Sequence, residues 1–127
     1  MSKKKWSFSQ ASRLAGNLYG SLLLRNSDPD GYQWCIDQLV NGESTVRDLV
    51  KKFCTSDEYR EKNLMNQTPN EFAKILCRRF LGNKEDNAEE IKKLAISLLE
   101  GDWREAVGNL IDSDKYHRLF GDDKVPA

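Results

Sequence analysis

The chain repeats itself. Leu24-Arg25-Asn26 faces Leu81-Gly82-Asn83, and Leu39 with Gly42 faces Leu98 with Gly101. After a two-residue difference, Val46-Arg47-Asp48-Leu49-Val50 faces Trp103-Arg104-Glu105-Ala106-Val107, and Ser56-Asp57-Glu58-Tyr59 faces Ser113-Asp114-Lys115-Tyr116. A duplication of this kind demands the same elements in the same order in each half. Two copies are too few for an extended solenoid, so they are expected to pack on each other as one domain. The 127 residues suit that, since single domains commonly run to roughly 100–200 residues.

Each half reads as helices. Phe8, Leu14, Leu18, Leu22 and Leu23 recur at three-to-four spacing, and alternating strand-like runs are absent. Asp28-Pro29 opens a second helix, with Asp28 as cap and Pro29 at a position where its missing N–H costs nothing. Tyr32, Cys35, Ile36 and Leu39 form its inner stripe until Asn41-Gly42. Ser44 or Thr45 starts a third helix, Ser56 caps a short fourth, and Thr68-Pro69-Asn70-Glu71 is a capping box for a fifth. Asn87 with Glu90 makes a similar box before Ile91, Leu94, Ala95, Leu98 and Leu99. Trp103 to Ile111 and a turn capped by Ser113 complete an all-α, compact domain of about eight short helices from two pseudo-repeats. Residues 1–7 are expected as a flexible basic tail, 8–121 as the single helical domain and 122–127 as a C-terminal tail.

The repeated Ser-Asp-x-Tyr has a local reason. Ser caps a helix, Asp favours its positive end, and Tyr packs one turn on with its hydroxyl towards water. The repeated Arg-Asp/Glu pair reads as two solvated helix faces ahead of a matched contact surface, because exposed pairs are common and weak.

Charge and chemistry narrow the function. The 20 basic and 20 acidic side chains cancel, leaving no general field for nucleic acid or an anionic membrane, so a partner must be recognised locally. Cys35, Cys54 and Cys77 sit in apolar helical patterns and read as reduced thiols of a cytoplasmic protein; they lack the close spacing of a zinc site. No apolar run approaches the ~20 residues of a spanning helix, and no secretion signal is expected behind Lys3-Lys4-Lys5. His117 is the single histidine and has no nucleophile motif beside it, so no enzyme activity is expected.

One metal pattern is worth weighing. Asn26, Asp28, Asp30 and Asp37 copy the first, third, fifth and twelfth positions of an EF-hand loop around Gly31. Asn in first place, Pro29 in fourth and an Asp in twelfth place weaken it, so a helix-opening turn is the leading reading and a calcium-dependent binding module the alternative. No cofactor is expected. Trp34 falls off the Cys35/Ile36/Leu39 stripe, as an exposed interface anchor or a residue at the core's rim would.

Leu110-Ile111-Asp112-Ser113-Asp114-Lys115-Tyr116, continued by Phe120-Gly121-Asp122-Asp123-Lys124-Val125-Pro126, resembles the closing signature of the phycobilisome linker domain. Asn41-Gly42-Glu43-Ser44, Val46-Arg47-Asp48-Leu49-Val50 and Ser56-Asp57-Glu58-Tyr59-Arg60 resemble the family's earlier segment, and Phe80-Leu81-Gly82 its middle helix end. The resemblance implies a non-enzymatic scaffold that binds phycobiliproteins, in the cytoplasm at the thylakoid surface. A relative that keeps the fold and serves another protein assembly is the alternative, and self-association stays open. Trp34, Arg47, Arg104 and Tyr116 are the expected contact residues.

Overall fold

The structure, a computed structural model, describes residues 3–63 and 65–126. Among them are eight α-helices and no strand: α1 Phe8–Leu18, α2 Pro29–Val40, α3 Val46–Cys54, α4 Asp57–Asn63, α5 Pro69–Phe80, α6 Ala88–Glu100, α7 Trp103–Ile111 and α8 Asp114–Phe120. A π-helical turn, Tyr19–Leu23, prolongs α1. None of these helices is long and apolar enough to cross a membrane.

The helices start where capping chemistry places them. Asp28 accepts from Gly31 N at 2.9 Å with Pro29 in the first turn, Thr68 accepts from Glu71 N at 3.2 Å, and Asn87 accepts from Glu90 N at 3.1 Å. The reciprocal half of a capping box forms at Ser7 with Gln10 and at Thr45 with Asp48. At the fifth and sixth helices only the forward half of the expected box is made, and Glu90 accepts from Asn83 Nδ2 at 2.5 Å instead. The two Ser-Asp-x-Tyr turns are superimposable in detail: Ser56 and Ser113 each donate to a carbonyl at 2.6 Å and each accept from the tyrosine N–H at 3.2 Å.

The first four helices and the last four form the two pseudo-repeats. Within them α1 packs on α2 and α5 on α6, and α3 lies against α7 to join them. One apolar cluster runs through both halves, with Leu18, Ile36, Leu39, Leu49, Phe72, Leu76, Phe80 and Ile111 fully or almost fully buried. Three expectations change. Phe8 and Leu99 sit on apolar stripes by spacing, yet are 64% and 69% exposed, each in the terminal turn of its helix. Tyr59 and Tyr116 do not turn their hydroxyls to water: both residues are wholly buried, and neither hydroxyl has a hydrogen-bond partner.

The segment ahead of α1 has definite contacts from Lys3 onward. Lys3 Nζ reaches Asp48 at 2.6 Å, Trp6 N–H donates to Leu39 O at 3.1 Å, and the Trp6 ring packs on the core. A Cβ on Gly42, whose φ is +68°, would stand 3.0 Å from Lys3 O, so this strand of chain needs a glycine there. At the other end Val125 packs on the same core. Met1, Ser2 and Ala127, the outer residues of the two expected tails, lie outside the described residues.

Candidate protein-binding surface

Of the four expected contact residues, Trp34 is on an open groove, Tyr116 is buried, and the two arginines are engaged across the repeats, Arg47 part-buried and Arg104 still exposed. Arg47, on α3, donates from Nε to Ile111 O at 2.8 Å and lies 5.8 Å from the centre of the Tyr116 ring. Arg104, on α7, donates from Nε to Thr55 O at 3.1 Å and pairs with Asp57. Each therefore reaches the C-terminal end of the helix facing it, where free carbonyls and the helix dipole favour a cation. The repeated arginines make a matched contact between the repeats, part-buried at Arg47 and solvated at Arg104. Tyr116, fully buried beneath Arg47, offers no surface to a partner.

Trp34 is 38% exposed and stands at the rim of a groove of about 220 Å³. The groove is floored by Tyr19, Leu23 and Phe53, and Tyr19 meets Phe53 edge to face with ring centres 4.9 Å apart. Tyr19 can lie there because residue 31 is glycine: a Cβ at that point would stand 2.0 Å from its hydroxyl. The Lys52 ammonium sits 4.4 Å from the Trp34 ring, a cation–π contact that holds the indole at the rim. Opposite, Glu58 accepts from Arg25 at 2.8 and 3.0 Å and from Lys62 at 2.9 Å. Those donors, Arg25 first, hold the Glu58 carboxyl down to about 2.

Sequence reasoning placed Leu23 on the apolar stripe of the first helix but missed Tyr19, which the π-helical turn brings to the groove beside it. The turn ends on Leu24, which is 72% exposed and adopts the left-handed conformation with φ 54°. Its counterpart in the repeat, Leu81, is right-handed, and the end of α5 places its left-handed residue one position later, at Gly82 with φ +65°. π-turns and left-handed non-glycine residues concentrate at functional sites.

The four calcium candidates do not gather. Asp28 is occupied as a helix cap and by Arg25, Asp37 accepts from Gln33 Nε2 within α2, and α2 is already helical from Pro29, so no twelve-residue loop exists. Among the described residues no three His, Cys, Asp or Glu side chains cluster as metal ligands. Asn26 and Asp30 flank the cap on either side.

An all-helical domain, duplicated, joined by reciprocal arginines and furnished with side-chain-sized grooves, is the class of protein that fold and surface define. The chain belongs to the phycobilisome linker polypeptide family, which it matches over residues 29–127. That family consists of structural, non-enzymatic proteins. The phycobilisome rod-core linker polypeptide CpcG2 of Thermosynechococcus vestitus is 30% identical over 89 residues, which is 70% of this chain and 36% of that protein. The phycobiliprotein ApcE of Nostoc sp. is 33% identical over 70% of this chain and 8% of its own length. The photosystem I-associated linker protein CpcL of Nostoc sp. is 29% identical over 70% of this chain and 38% of its own. The match thus spans little more than a third of these linkers, and α1 with its π-turn lies ahead of the family's span.

Proposed function

We propose that this domain is a scaffold of the phycobilisome, binding phycobiliproteins through the groove around Trp34, in the cytoplasm at the thylakoid surface. The observation that carries the reading is the groove itself: a half-open tryptophan fixed by Lys52 over an aromatic floor. Tryptophans in partly desolvated pockets are the commonest energetic anchors of protein interfaces. The family supports the partner: relatives sharing this domain are named as rod-core linkers and as a phycobiliprotein.

Co-sedimentation with intact phycobilisomes in high phosphate, which strengthens apolar contacts, tests it. The protein is expected to migrate with the assemblies through washing, and Trp34→Ala is expected to remain in the soluble fraction. Wild-type protein left wholly soluble would mean that the fold serves another assembly.

A further inference from the structure

We infer that the groove between α6, α7 and α8 is a second docking site, built to take an apolar side chain flanked by carboxylates on a partner protein. The inference goes beyond the Trp34 groove and does not depend on the partner being a phycobiliprotein. The two grooves occupy corresponding places in the two repeats: Phe53 and Ser56 line the first where Leu110 and Ser113 line the second. The internal duplication has therefore duplicated a surface as well as a fold. Tyr19, Leu23 and Arg25 of the first groove precede the family's span, whereas every residue of the second lies within it.

The second groove is the larger, about 450 Å³, and its floor is Leu81, Leu94 and Leu110. Past Leu81 it continues into a depression of about 180 Å³ walled by Leu119, which is 44% exposed. That floor is wide enough for a leucine or an aromatic ring with its neighbours. The rim decides which neighbours. Glu58 of the first groove is replaced by Lys115 in the second, and Lys93 and Arg118 stand beside it. Of the two carboxylates there, Glu90 is engaged by Lys115 at 3.7 Å and by Asn83, and Asp114 lies in the first turn of α8, where a helix N-terminus favours it. Among the described residues neither Lys93 nor Arg118 forms a salt bridge. Two uncommitted cations above an apolar floor complement an acidic segment and repel a basic one.

Isotope-labelled full-length protein titrated with a synthetic peptide of alternating leucine and glutamate, and with its leucine–lysine twin, tests the assignment by nuclear magnetic resonance. Saturable shifts are expected at Leu81, Leu94, Leu110 and Leu119, with the lysine twin at least about tenfold weaker. Lys93→Glu with Arg118→Glu is expected to weaken the acidic peptide by about tenfold or more, and the neutral pair Lys93→Gln with Arg118→Gln by a smaller factor, with wild-type melting. Both residues are exposed, and the neutral pair of substitutions keeps the test valid if charge reversal disturbs α8. An acidic peptide that fails to bind, that shifts other residues, or that binds no better than its twin overturns the assignment. Loss of phycobilisome co-sedimentation in Trp34→Ala bears on the first groove alone, so the two readings fail separately.

Discussion

Arg47 and Arg104 occupy the same place in the two repeats, and each donates its Nε hydrogen to the C-terminal end of the helix that carries the other. The exchange is reciprocal but not equal. The Arg47 side chain is 20% exposed and lies over Tyr116, whereas that of Arg104 is 49% exposed and its partner Asp57 76%. Removing Arg47 strands a part-buried carbonyl, so Arg47→Ala is expected to cost about 1–3 kcal/mol. Arg104→Ala is expected to cost less than about 1 kcal/mol, as exposed pairs do. Urea midpoints at unchanged m-value measure both. Equal losses would show that the two ties carry the same load.

Acid sensitivity is expected to centre on Glu58. Arg25 above all, with Lys62, holds its carboxyl down to about 2 from an ordinary 4.5. A carboxylate depressed in the folded state stabilises above its unfolded pKa, and that contribution is lost as pH falls from 4.5 towards 2. Glu58→Gln is therefore expected to melt below wild type at neutral pH, and the gap is expected to close as the pH falls through that window. Melting curves at several acid pH values check it, and a gap that stays constant would exclude the ion pair as its source.

The alkaline side has the opposite sign. Burial pushes the Cys35 and Cys77 thiols up to about 11 and Cys54 to about 12, from an ordinary 9.0, and it pushes the Tyr19 hydroxyl up to about 12. Acids whose folded pKa is raised stabilise fully below the unfolded value, so stability is expected to hold to about pH 9 and to fall as pH rises towards 11–12. In native protein at about pH 8 the three thiols are expected to react with a thiol reagent only as fast as the domain opens. A thiol that reacts at the rate of a free cysteine would contradict the burial.

How much of this was legible depends on how local each signal is. The starts of α2, α5 and α8 follow from Asp28-Pro29, Thr68-Pro69 and Ser113, because a cap acts on atoms within one turn. Trp34 could be placed at the surface or at the core's rim because it breaks a helical period. The repeated arginines were visible, but their role was not: a duplication shows that two residues correspond, not that the repeats face each other across α3 and α7. The same gap hid the tyrosines, since Tyr59 packs on Phe72 and Tyr116 lies under Arg47, each from the opposite half. The π-turn and the second groove had no signal at all, since both depend on how helices end and meet.

Leu24 gives the last expectation. Its φ of 54° puts a β-carbon where the left-handed conformation costs a non-glycine residue roughly 1–2 kcal/mol, and 72% exposure means that its side chain recovers little by packing. The corresponding helix end in the second repeat uses Gly82 and avoids that strain. Leu24→Gly relieves the strain and loses some in unfolded-chain entropy, for a net gain of about 0.5–1 kcal/mol. We propose that so exposed and strained a leucine serves a contact outside the folded chain, since it adjoins the Trp34 groove through Arg25. The variant is thus expected to melt higher than wild type and to co-sediment less with phycobilisomes. If it melts higher and co-sediments as wild type does, the strain has no part in binding and the interface lies at Trp34 alone.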